Sequence, residues 1–196
     1  MKRKTKIVLR LLKRVFFIGE FMLKDFNLIA TTVRGNERAM INEILFLLKD
    51  HLGDQEAAAV KTGVRGIVVA RTSLNPYVVV EKLYGLLSER PYEFRFALRI
   101  IPIECVVPTD LELIKQACLK LALRIGEGET YRITVEKRYT MLHSMDIISA
   151  VAAEVERKAD MESPDKILLI EIMGAVTGIS LIKPREIISV MKEKMI

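Results

Sequence analysis

From Phe26 onward the hydrophobic pattern switches repeatedly between period 2 and period 3.6, and the order of those switches limits the fold more than any single residue does. "FNLIATTV" reads as a strand. "RGNERAMINEILFLLKDHL" follows as a helix, with Met40, Ile41, Ile44, Leu45, Leu48 and Leu52 on one apolar face. "AAAVKTG" and "GIVVARTS" are two short strands around Gly63 and Gly66. Asn75 then caps a helix opened by Pro76: the Asn side chain satisfies amides at the helix start, where proline has none to lose. "YEFRFALRIIPIECVV" closes the series as one long strand.

Strand, helix, two strands, helix, strand is the ferredoxin-like arrangement, an antiparallel sheet with both helices on one face. A second unit begins at "PTDLELIKQACLKLALRI", where Thr109 and Glu112 read as a capping box and Leu113, Ala117 and Leu121 mark the buried stripe. "GEGET" breaks that helix, and its Gly126 and Gly128 are too few and too acidic in setting for a phosphate loop. "TYRITVEKR" alternates as a half-buried strand and ends on Lys137 and Arg138. A helix from Ser144 to Arg157 follows, with Ile147, Ile148, Val151 and Val155 inward. "KILLIEIM" and "AVTGISLI", joined near Gly174, are apolar without alternation, as strands buried on both faces are. The expected fold is α+β: a basic extension over 1–25, a ferredoxin-like domain over 26–107 and a further α/β unit over 108–196. No low-complexity linker separates the units, and a shared strand over 94–107 limits hinge freedom.

Charge is distributed unevenly. Residues 1–25 hold eight Lys or Arg against two acids, which accounts for the whole net charge of +6. The body is charge-balanced, so an anion site there has to be a local patch of one sign. "MKRKTKIVLRLLKRVFFIGEF" resembles a signal peptide in charge and apolar content, but Arg10, Lys13 and Arg14 interrupt the apolar run and no small-residue cleavage site follows, so neither a signal peptide nor a membrane span is expected. The segment reads either as a basic surface helix or as an overlong reading frame ahead of Met22. Cys105 and Cys118 have neither CxxC spacing nor a disulfide framework, as buried thiols in a reducing cytoplasm do.

The second unit, "YRITVEKR", an amphipathic helix, then "SPDKILLIEIMGAVTGISLI", resembles the THUMP domain of transfer-RNA-modifying enzymes, with "RIIPIE" similar to that family's first strand. The βαββαβ unit resembles the domain that accompanies it. The two-unit chain looks most like the adaptor of the RNA cytidine acetyltransferase, which forms 4-acetylcytidine in tRNA. The resemblance implies binding of the tRNA 3′ acceptor end, no cofactor, and an enzyme partner acting in trans, either that acetyltransferase or another tRNA-modifying enzyme. No methyltransferase, thiolation or deaminase domain is apparent beside the two units, so the chain is expected to be non-catalytic, cytoplasmic and free of membrane.

Carried onto these residues, the resemblance makes Lys137 and Arg138 candidate phosphate contacts, with Arg99 beside them. Side-chain cations at a strand-to-helix junction, beside free amides, suit a phosphate on physical grounds as well. Arg95 and Arg99 are expected on one strand face, on the open side of the sheet or in the seam between units, either as part of the patch or paired with Glu93, Glu104 or Glu136. Lys183 and Arg185, around the proline that stops the last strand, are expected to extend the patch. Lys61 and Arg65 flank the Gly63 turn, where charge commonly serves solubility alone. His51 and His143 have no nucleophile or ligand partner at suitable spacing. Few aromatics and no Trp favour recognition of a folded RNA by shape and phosphate.

Overall fold

The computed structural model describes residues 24–194, so the readings of the basic extension lie outside the described residues. Strands β1 (Leu28–Thr31), β2 (Ala58–Lys61), β3 (Ile67–Arg71) and β4 (Arg99–Pro102) form an antiparallel sheet in the order β4-β1-β3-β2. Helices α1 (Glu37–Phe46, continued by a π turn over Leu47–His51) and α2 (Pro76–Glu89) cover one face, as the ferredoxin-like order requires. The α2 cap is the expected one: Asn75 Oδ1 accepts from the amides of Tyr77 at 2.9 Å and Val78 at 3.4 Å.

The second sheet has the order β5-β9-β8-β6-β7, from β5 (Cys105–Pro108), β6 (Thr130–Arg138), β7 (Lys158–Ala159), β8 (Lys166–Met173) and β9 (Val176–Ile182). Helices α3 (Leu111–Ala122) and α4 (Ser144–Ala152) cover its outer face. Its inner face packs on the first sheet: Ile167, Leu169 and Ile182 meet Ile29, Val69 and Ile101 in a shared core. The result is four layers, helix, sheet, sheet, helix. The middle layers explain why "KILLIEIM" and "VTGISLI" are apolar on both faces: one row faces the helices and the other faces the seam. Gly178 marks a close approach there, since an added Cβ would lie 3.2 Å from Ile103 and Phe26 side chains. Gly174 turns the chain at φ +67°.

Several local expectations differ from the structure. The long strand is two short ones, β4 and β5. The chain leaves the first sheet at buried Ile103 and enters the second at Cys105. A boundary at 107/108 therefore falls inside β5. The C-terminal strand β10 (Ile188–Ser189) returns to pair with β4 in the first sheet, ahead of the short α5 (Val190–Glu193). Asp110, not Thr109, caps α3, accepting from Glu112 and Leu113 amides at 3.0 Å each. Ile114, Cys118 and Ala122 face inward with Ala117 and Leu121 partly buried beside them, Leu113 is exposed, and the Thr109 hydroxyl pairs with Thr177 at 2.9 Å. Helix α4 ends at Ala152, and residues just beyond it form β7 against β6.

Candidate nucleic-acid interface

One end of the seam carries an arginine cleft of about 340 Å³, lined by Arg34, Val64, Arg65, Arg138 and Tyr139. Its cations come from both units: Arg34 from the β1–α1 loop, Arg65 from the β2–β3 turn and Arg138 from the last position of β6. Among the described residues, neither Arg34 nor Arg65 has an ion pair.

A single carboxylate holds the two loops together. Glu37, in the first turn of α1, is buried, and its Oε1 accepts from the Gly66 amide at 2.7 Å and the Gly35 amide at 3.1 Å. Those donors, Gly66 first, hold its pKa down at about 2, with Lys61 adding a small pull. The Thr32 amide also donates to the Gly66 carbonyl at 2.9 Å. Gly66 sits at φ +77°, and a Cβ there would lie 2.8 Å from the Thr32 carbonyl oxygen and 3.7 Å from Arg34 Cγ. Arg34 therefore lies against the turn that carries Arg65. Gly66→Ala should destabilise the protein by about 2 kcal/mol, combining a left-handed backbone with a backbone clash, as urea denaturation would measure.

Beneath the cleft, buried Glu171 of β8 joins the two sheets. Its Oε2 accepts from Arg138 at 3.3 Å, and its Oε1 lies 4.0 Å from Arg99 with no hydrogen-bond partner. Burial pushes this carboxyl up to about 7, against the opposing pull of Arg99 and Arg138. Arg138 also lies 3.9 Å from Glu136. Tyr139, at φ 55° and exposed, completes the rim.

The sequence-predicted residues are thus divided among four places. β6 is still extended at its end, so Lys137 and Arg138 leave on opposite faces. Arg138 points into the seam, while Lys137 turns to the helix side and donates to the Leu142 carbonyl at 2.8 Å. Arg99 belongs to the seam and reaches Glu171. Arg95 does not share its face: it precedes β4, in a segment whose amides at 95, 96 and 97 donate to the buried Glu43 carboxylate. Lys183 and Arg185 do not extend the cleft. Arg138 pairs with Met173 and Met173 with Val176, whereas Ile182 lies at the far end of β9, roughly 20 Å away at about 3.3 Å per residue. There they line a separate groove of about 460 Å³ with Tyr77, Tyr84, Glu81 and Glu186.

Sequence reading missed Arg34 and assigned Arg65 to solubility, because only the fold brings their loops together. It also passed over Glu171, although an acid inside "KILLIEIM" is a legible signal. Burial pushes the Cys118 thiol up to about 12, and both cysteines are free. Among the described residues no three His, Cys, Asp or Glu side chains gather as a metal site needs, and no helix is long and apolar enough to cross a membrane.

The site and fold define a two-unit α+β protein with a cationic cleft shared between its units. Residues 108–182 match the THUMP domain model, and a ferredoxin-like unit precedes them. Its fold is similar to that of PH1313 from Pyrococcus horikoshii (18% identity, TM-score 0.54, 80% of this chain and 55% of that one). TrmN from Thermus thermophilus is alike to the same degree (18% identity, TM-score 0.55, 82% of this chain and 47% of that one). A 4-thiouridine synthetase solved with RNA and ATP also shares the fold (16% identity, TM-score 0.51, 81% of this chain and 41% of that one). The chain spans about half the length of the first two structures. No curated protein matches it in sequence.

Proposed function

We propose that this protein binds tRNA by its acceptor end and presents it, in the cytoplasm, to a separate RNA cytidine acetyltransferase without itself catalysing a reaction. The observation that carries this reading is the cleft of Arg34, Arg65 and Arg138, in which a THUMP domain and its ferredoxin-like neighbour both supply cations. Three guanidiniums around one opening suit successive phosphates, Arg34 and Arg65 with planar donors unpaired with acids among the described residues and Arg138 partly offset by Glu171 and Glu136. Arginine side chains remain protonated and take no part in proton transfer, so the cleft is built for holding rather than for reacting. The fold is shared with a 4-thiouridine synthetase solved as an RNA complex, and this favours a second reading, in which the same cleft serves a thiolation or methylation enzyme.

A gel shift separates these from a protein-interaction module that has no RNA role. Intact tRNA is expected to bind at least tenfold more tightly than the same tRNA trimmed at its 3′ end, a difference of about 1.4 kcal/mol. Equal affinities would remove the acceptor-end reading, and no affinity for either would remove the RNA reading. Pull-down of the bound enzyme then tells acetyltransferase from thiolation or methylation partners.

A further inference from the structure

A second cleft, of about 380 Å³, lies between α1 and the turn that precedes β4, lined by Asn42, Phe46, Tyr92, Arg95 and Phe96 together with buried Glu43. Phe46 is 43% exposed and Tyr92 62% exposed, in a chain with no Trp and only 6% aromatic residues. Both walls are fixed from behind. The His51 ring is bonded to Glu93 at 2.7 Å, and Phe46 stands edge-on to it with centroids 4.9 Å apart. The Glu43 carboxylate holds the opposite wall through the amides of residues 95, 96 and 97, at 2.7, 2.9 and 2.8 Å.

The two acids at this cleft are therefore engaged inward, Glu43 with amides and Glu93 with His51 and, at 3.7 Å, Arg90. The cations in and near it, Arg95 in its lining and Arg38 one turn of α1 from Asn42, are not paired with acids. Arg95 Nε donates to the Tyr92 carbonyl at 3.2 Å, and among the described residues Arg95 and Arg38 have no ion pair. Arg38, Asn42 and Phe46, four residues apart, are exposed along one face of α1. That face starts beside the Arg34 loop and covers roughly 12 Å at about 1.5 Å per residue. It links the arginine cleft to the aromatic one.

We propose that the Phe46–Tyr92 cleft receives one unpaired nucleobase of an RNA whose phosphates occupy the Arg34–Arg65–Arg138 cleft. The inference rests on the RNA-binding reading above. A pre-set aromatic wall suits stacking on any base, since every base has a π-face. The Asn42 amide offers both a donor and an acceptor to a base edge, and Arg38 and Arg95 are complementary to the adjoining phosphates.

The test uses the full chain and two RNA hairpins of equal stem, one blunt-ended and one with a short 3′ single-stranded overhang. Phe46→Ala and Tyr92→Ala are each expected to weaken binding of the overhang RNA about tenfold and to leave the blunt hairpin unchanged, while Tyr92→Phe binds like the parent. Arg34→Glu with Arg65→Glu should weaken both RNAs. If the parent binds the overhang RNA and the two alanine variants, folded by circular dichroism, bind it equally well, the nucleobase assignment falls and the RNA reading stands. If the parent binds neither RNA, both fall. If the variants keep RNA affinity but lose the enzyme partner in pull-down, the cleft belongs to a protein and the proposal is overturned.

Discussion

Reversing Arg34 and Arg65 together to glutamate is expected to weaken tRNA binding by about 100-fold, or roughly 2.7 kcal/mol. The double variant removes two of the three cleft cations and places two anions where phosphate should sit. The salt dependence should flatten as well, because each lost phosphate contact lowers the slope of log K against log salt by about 0.7 to 0.9. Stability should change little. Both side chains are exposed and without ion pairs among the described residues, and surface changes of that kind usually stay within about 0.5 kcal/mol. Lys183→Glu with Arg185→Glu supplies the control: the same charge change at the far end of β9 should alter affinity only a few-fold. Equal losses from the two double variants would mean that net charge, rather than the cleft, governs binding.

That control rests on a distance the sequence does not contain. Element order was legible, because period is local: "FNLIATTV" to "RIIP" shows the ferredoxin-like succession, and Asn75-Pro76 marks α2 directly. The double burial of β8 and β9 was legible too, although what buries them is a second sheet as well as helices. The largest failures come from how the chain joins its two sheets and its loops. The stretch from Ile100 to Val107, apolar but for Glu104, has the same period whether it stays in one sheet or changes sheets after Ile103. Likewise, Arg34, Arg65 and Arg138 are scattered along the chain and meet only because Glu37 ties two loops and the seam sets β6 beside them. The pairing of Lys137 with Arg138 on one surface required the strand to have ended before them, and it has not. Alternation along a strand sends neighbours to opposite faces, and β6 keeps that alternation to its last residue.

Glu171 is where this architecture should show itself in solution. The groups facing it are Arg99 from β4 and Arg138 and Glu136 from β6. Of these, only Arg138 is within hydrogen-bond distance, at 3.3 Å. Burial raises its pKa from an ordinary 4.5 to about 7, because the two arginines only partly offset the loss of water. A carboxyl raised on folding binds its proton more tightly in the folded than in the unfolded chain. The stability it contributes is therefore fully present below about pH 4.5 and is lost as pH rises through about 7, amounting to about 3 kcal/mol. Glu171→Gln keeps the shape without the titration. Urea denaturation from pH 5 to pH 8 should show the parent losing stability relative to this variant by roughly that amount, most steeply between pH 5 and 7. At pH 8 the variant should also bind tRNA several-fold more tightly, since Arg138 is then no longer held by an anion, and the difference should shrink by pH 5.5, where Glu171 is protonated. Parallel stability curves across that range would show that Glu171 carries no raised pKa, and that Arg99 and Arg138 hold it as an ordinary ion pair.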